Sequence, residues 1–363
     1  MEIQCRRLDR EIEWYEAEAS SKLSAVLKSG VCLYGAETKE FEKKLSDSIG
    51  KNNCVSVKNC TDALYLTLRY LGIGRGDEVL VPCNTFVADY AAVANVGAAP
   101  IAVDVNEYYS IDPAQLEKQI TPKTRAILVV HLYGQAADMD EILAVAERHD
   151  LVVVEDCAQA FGAEYKGKPV GSFGDVSCFS FYPTKNLGAF GDGGAILTDD
   201  DEMARRLRAM RFYGINEKGE YEAVGVNSRI DELQAAILNA KFKYLDDMLA
   251  ERRRIASRYL SGINNPTILL PKTAAFSKHT FHQFVIRCEE RDKLKDYLET
   301  SGIQTQIHYK NPPFLSSLYA QDGQDAALSD FSANLHKSIL SLPMYIGMTD
   351  DEITYVIDAI NRF

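Results

Sequence analysis

From residue 54 onward, short apolar runs alternate with stretches whose apolar residues recur every three or four positions. The runs "CVSV", "DEVLVP", "APIAVDV", "RAILVVHLYG" and "LVVVEDC" predict strands, and "DALYLTLRYLG", "FVADYAAVANVG" and "MDEILAVAERHD" between them predict helices. That alternation is the mark of repeated βαβ units. Residues 127–130 and 151–154 are apolar without interruption, as strands are when helices cover both faces of a sheet. The expected fold class is α/β, a mainly parallel sheet sandwiched by helices.

One helical pattern then runs over residues 231–260 and leads into "HQFVIR", "RDKLKDYLETSG", "IQTQIHY" and "TDDEITYVIDAINRF". This mixture predicts a smaller C-terminal α+β domain. The expected division gives residues 1–244, with an N-terminal helical segment, to the large domain and residues 245–363 to the small one. No internal repeat or low-complexity tract interrupts the pattern.

Composition narrows the function classes. A chain of 363 residues can bury about 75% of its unfolded surface, so no disulfide or metal staple is needed. The formal net charge of −12 argues against nucleic acid or an anionic membrane as partner, since both call for a basic surface. An anionic substrate would need a local basic or amide-lined pocket. The eight cysteines form no CxxC pair, so no metal site is expected. Several lie in apolar runs, where a reduced thiol behaves as a small hydrophobe, and this points to a reducing cytoplasm. The N-terminus has no apolar leader region and no run approaches the roughly 20 residues of a membrane span.

Candidate chemistry centres on "FSFYPTKNLGAFGDGGAILTDD", where Lys185 sits between a Ser/Tyr/Thr cluster and a glycine-rich return to a strand. Small residues there let the backbone crowd a ligand. Asp156 ends the apolar run "LVVVEDC", and ligands collect at the carboxyl ends of parallel strands. Alone, either residue is compatible with a solvated turn or a helix cap. Together they suggest pyridoxal phosphate chemistry, in which a carboxylate keeps a pyridine nitrogen protonated and a lysine holds an aldehyde as a Schiff base. "VKNCTDALYLTLRYLG" offers a phosphate cradle at Thr61 and Asp62, where a strand passes into a helix N-terminus, and Ser180 can add its hydroxyl. Phe86, after another strand, can stack on a flat ring. "GIGRGDE" imitates a dinucleotide fingerprint, but it follows a helix and precedes a strand, the reverse of the required order.

These residues, with "TDALYLTLRYLGIGRGDEVLVP", "TFVAD", "VVEDCAQAFGA", "SFYPTKNLGAFGDGGAI", "GVNSRIDELQAAIL" and "SLPM", resemble the DegT/DnrJ/StrS aminotransferases, which aminate keto sugars on nucleotide carriers. The resemblance spans nearly the whole chain and implies the aspartate aminotransferase-like fold type I with pyridoxal 5′-phosphate as cofactor. Carried over by position, it implies that Lys185 is the Schiff-base lysine and Asp156 the partner of the ring nitrogen. Gln159 would meet the phenolic oxygen, Phe86 would stack on the ring, and Thr61, Asp62 and Ser180 would hold the phosphate. Asn227 would reach the phosphate of a neighbouring subunit, which implies a homodimer with shared active sites. One departure is Cys60, where relatives usually carry glycine, and cysteine adopts positive φ less readily.

"GIQTQIHYKNPPFLSSLY" resembles the branch that aminates C3, in which His308, Tyr309 and Tyr182 would face the sugar. The resemblance implies L-glutamate as amino donor and a dTDP-linked 3-keto-6-deoxyhexose as acceptor. A UDP-linked 3-keto-2-acetamido uronate is the alternative, for which Arg229 or Lys310 would pair the carboxylate. A cofactor-binding regulator and a fold-type I lyase or decarboxylase are readings of other classes. The lyases usually hold an α-carboxylate with a small-domain arginine, where this segment has His308.

Overall fold

A computed structural model describes residues 1–319 and 328–363 of the chain. Seven strands form the central sheet: β1 (Asn53–Val57), β2 (Glu78–Pro82), β3 (Ala99–Val103), β4 (Thr124–Val130), β5 (Val152–Asp156), β6 (Val176–Ser180) and β7 (Gly194–Thr198). Their order is β1-β7-β6-β5-β4-β2-β3. β7 runs antiparallel to both neighbours, and all other pairings are parallel. The expected α/β architecture is what the structure has.

Alternation within β4 decides how the sheet is covered. Ile127 and Val129 join one apolar cluster, while Ala126, Leu128 and Val130 join another on the opposite face. Both faces are dry, so each such Val, Leu or Ile contributes roughly 1.5–3 kcal/mol.

The topology also gathers loops. Because β7 is antiparallel to β1 and to β6, the carboxyl ends of β1, β2, β5 and β6 share one edge with the amino end of β7. Asn59, Phe86, Asp156 and Ser180 follow or end those four strands. Ligand chemistry belongs at such an edge.

Residues 231–260 read as one helix, but the structure has two, Glu232–Phe242 and Leu245–Gly262. At the break the Tyr244 N–H returns to the Lys241 carbonyl, a tight turn made without glycine or proline. The second helix packs with Arg291–Thr300 and Asp350–Arg362 around a two-stranded antiparallel sheet, Phe284–Arg287 with Ile339–Leu342. Ile3 is buried in the same cluster and bridges Ile303, which draws the first residues of the chain onto this unit. Among the described residues no helix is long and apolar enough to cross a membrane.

Candidate active site

Asp156 closes β5 at the shared edge, where its Oδ1 accepts from the Ala158 N–H at 2.7 Å and from the Cys60 thiol at 3.8 Å. Its neighbour Glu155 points to the opposite face. There it accepts from the N–H groups of Gly171, Phe173 and Gly174 at 2.7, 2.9 and 2.6 Å, and from His131 Nε2 at 2.9 Å. His131 Nδ1 accepts the Ala137 N–H, so the ring proton belongs on Nε2. Burial raises the Glu155 carboxyl, but His131 and the N–H groups outweigh burial and hold it below the usual carboxylate range. The segment before β6 is thereby pinned under Asp156.

Lys185 lies in the turn between β6 and β7, with its N–H bonded to the Tyr182 carbonyl at 2.8 Å. The turn is too tight for a side chain at Gly188, where a Cβ would stand 2.3 Å from the Pro183 carbonyl oxygen. The Lys185 side chain is half-buried. Burial lowers its pKa from the ordinary value, and Asp156 opposes that shift in part.

The helix Cys60–Tyr70 begins at the same edge. Asn59 caps it, its Oδ1 taking the Asp62 N–H at 2.8 Å and its carbonyl the Ala63 N–H at 3.1 Å. The first-turn N–H groups of Cys60 and Thr61 and the helix dipole are then available to an anion. Cys60 does not need glycine's freedom here: Asn59 is extended at φ −160°, ψ 169°, and Cys60 is already helical. Asp62, also at this edge, is engaged within the protein. Its N–H belongs to Asn59, and its carboxylate accepts from the Ser228 hydroxyl at 2.6 Å.

These elements enclose a cavity of about 720 Å³. Ten of the sequence-predicted residues line it: Thr61, Asp62, Phe86, Asp156, Gln159, Ser180, Tyr182, Lys185, His308 and Tyr309. Asn227 and Arg229 do not. Asn227 pairs with Phe212 through its backbone, and the Arg229 guanidinium lies 5.0 Å over the Phe212 ring.

A hydrogen-bond chain sets the wall between the two units. Gln159 Oε1 accepts the Tyr133 N–H at 2.9 Å and its Nε2 donates to the Tyr309 hydroxyl at 2.8 Å. Tyr133 Oη donates to the His308 carbonyl, and His308 Nδ1 meets the Ser341 hydroxyl at 2.8 Å. Burial pushes the His308 ring down to about 4, with Arg6 and Lys185 adding to the shift. Phe86, half exposed at the mouth, tilts against Tyr309 with ring centroids 5.2 Å apart.

Sequence reasoning missed Arg6, Asp89 and His282. Arg6 and His282 line the cavity, and Asp89 is wholly buried against Asp156. Only Asp89 left a local signal, a lone carboxylate three residues after Phe86 in an apolar helix.

Known proteins resemble this chain over nearly its whole length. A dTDP-3-amino-3,6-dideoxy-alpha-D-galactopyranose transaminase of Aneurinibacillus thermoaerophilus is 47% identical over 96% of both chains. The structure of Streptomyces venezuelae DesV in complex with a ketimine intermediate superposes with a TM-score of 0.94, at 42% identity over 99% of this chain and 98% of that one. NtdA of Bacillus subtilis with bound cofactor PMP gives a TM-score of 0.89, at 32% identity over 98% and 83%. The family model of the DegT/DnrJ/EryC1/StrS aminotransferases matches residues 14–361, and the chain belongs to that family.

Proposed function

We propose that the chain is a pyridoxal 5′-phosphate-dependent enzyme that moves an amino group from L-glutamate to C3 of a nucleotide-linked 3-keto sugar, with a dTDP-linked 3-keto-6-deoxyhexose as first choice. The observation that carries this reading is the half-buried Lys185, its amine pKa lowered by desolvation, in one cavity with Asp156. The residues present fit the cofactor. The first turn of the helix Cys60–Tyr70, with the Thr61 and Ser180 hydroxyls, offers donors to a phosphate, and Gly193 leaves the cavity floor without a side chain. Phe86 offers a ring face at the mouth.

When bound, pyridoxal phosphate supplies an aldehyde that links to an amine and a cationic ring that takes up charge from the adjoining carbon. Asp156, fixed by the Ala158 N–H, would pair its carboxylate with the ring nitrogen. Gln159, held by Tyr133 and Tyr309, would meet the phenolic oxygen. Lys185, once released, moves a proton at the substrate carbon, a role that a desolvated amine performs better than a hydrated one. Asp62 acts at one remove by holding Ser228 beside Asn227. His308, Tyr309 and Tyr182 face the sugar. Arg229 packs on Phe212 and, like Asn227, lies off its own chain's cavity, so it would meet a uronate acceptor only in the neighbouring site.

The same proposal includes a homodimer in which Asn227 serves the neighbouring site, a division into domains 1–244 and 245–363 with the first residues crossing to the second, and a cytoplasmic enzyme. Purified protein loaded with pyridoxal phosphate, L-glutamate and the dTDP-linked 3-keto sugar should yield the 3-amino sugar by mass spectrometry, and Lys185→Ala should not. Amination of the UDP-linked uronate alone would change the acceptor. Amination of no nucleotide sugar would end the reading.

A further inference from the structure

Two cavity groups have no task in the scheme above. The Arg6 guanidinium enters from the N-terminal segment that Ile3 ties to Ile303, and its Nη1 donates to the carbonyl of Thr184 at 3.1 Å. Thr184 directly precedes Lys185. Arg10 and Arg211 each pair with a carboxylate, Glu352 and Glu42, but Arg6 has no such partner among the described residues. A guanidinium that is half-buried without an anion retains most of its fork of donors for a ligand.

His282 stands on the same wall at 2% exposure. The Gln283 amide nitrogen lies 3.4 Å from its Nε2, which makes Nε2 the acceptor and places the ring proton on Nδ1. That Nδ1 meets no partner among the described residues. Buried donors are rarely left so, and an acceptor on a ligand would satisfy it. Burial, with Lys185 and Arg6 nearby, keeps the ring well below its ordinary pKa and so uncharged.

The position selects the ligand. In an α-amino acid the carboxylate is attached to the carbon that carries the nitrogen. When that nitrogen comes to the place of the Lys185 amine, the carboxylate must fall beside it, where Arg6 is anchored on Thr184. We infer that Arg6, with His282 beside it, is the subsite for the α-carboxylate of the amino donor, an inference that rests on reading the site as a transaminase. The small-domain arginine that the sequence lacks near His308 is thus supplied from the other end of the chain. The lack of an arginine in that segment is therefore no argument against α-amino acid binding.

The test uses the enzyme loaded with pyridoxal phosphate and three probes: 2-methyl-L-glutamate, which cannot lose an α-proton, dTDP, and the UDP-linked uronate. Calorimetry on Arg6→Gln should show 2-methyl-L-glutamate weakened about ten- to a hundredfold with dTDP within about twofold, and Arg6→Lys should recover part of the loss. Wild type should also accept amine from L-glutamate at least about tenfold better than from its α-amide, L-isoglutamine, a comparison that needs no variant to fold. Equal use of the two donors overturns the inference. So does an Arg6→Gln change that weakens all probes alike, none of them, or only the uronate. A wild type that takes no amine from L-glutamate at all defeats the proposed function itself, which the donor comparison separates from the failure of Arg6 alone.

Discussion

Asp89 is buried against Asp156, so the carboxylate proposed for the ring nitrogen shares its corner with a second carboxyl. Thr85 Oγ1 donates to Asp89 Oδ2, while Asp89 Oδ1 meets no N–H or O–H donor among the described residues. Two adjoining carboxyls in a dry site do not both ionise. Burial first, then the Asp156 charge, push the Asp89 carboxyl well above the ordinary range, so Asp89 keeps the proton and can donate it to Asp156. Asp89→Asn preserves a neutral donor and should keep pyridoxal phosphate affinity within about threefold, whereas Asp89→Ala should lose about tenfold or more. Fluorescence titration of the cofactor reads both. Equal losses in the two variants would mean that shape alone matters there.

Gly194 opens β7 directly beneath the phosphate cradle. A Cβ at this position would stand 2.4 Å from the Asn59 carbonyl carbon and 2.8 Å from the Cys60 nitrogen. Both contacts are backbone, so no side chain can swing aside. Gly194→Ala should cost about 1–3 kcal/mol in urea denaturation and weaken pyridoxal phosphate more than it weakens the fold. A variant with unchanged cofactor affinity would show that the cradle does not depend on this close approach.

Three histidines, two buried and one half-buried, make stability depend on pH. His279 stacks on Phe281 at 3.9 Å, its Nδ1 accepts the Phe281 N–H, and burial lowers it to about 3. His282 is well below its ordinary value and His308 is at about 4. Each folded pKa is depressed below the ordinary 6.5, so between that value and about 4 the unfolded chain binds protons that the folded chain does not. The contribution is whole above pH 6.5 and is lost as pH falls through this window. Melting temperature should therefore decline from pH 7 to pH 5, and His279→Gln, outside the cavity, should flatten the decline. Parallel curves for wild type and variant would assign the effect to other groups.

How much of this was legible in the sequence follows from where each signal lives. Asp156, Ser180 and Phe86 end or follow strands whose apolar runs are plain, and the shared sheet edge then brings them together without further information. Arg6 and His282 carry no such mark. Arg6 reaches Lys185 across 179 positions only because Ile3 bridges Ile303, a contact that no local pattern encodes. The break at Lys243 and Tyr244 was hidden for a related reason, since its turn uses residues that suit a helix equally well.

Asn227 is exposed and off its own cavity wall, yet Ser228 next to it bonds Asp62 at the phosphate cradle. An amide so placed can serve a ligand only across a subunit boundary, and Tyr213, Tyr221 and Val224 expose apolar surface around it. Complementation distinguishes the two arrangements. Lys185→Ala and Asn227→Ala should each be nearly inactive as pure preparations. In a twofold dimer with shared sites, the mixed dimer concentrates both lesions in one site and leaves the other intact. Unfolding and refolding the two variants together should then restore roughly a quarter of wild-type activity, since half the dimers are mixed and one site in each works. If Asn227 served its own chain's site, every site in the mixture would carry a lesion and no activity would return.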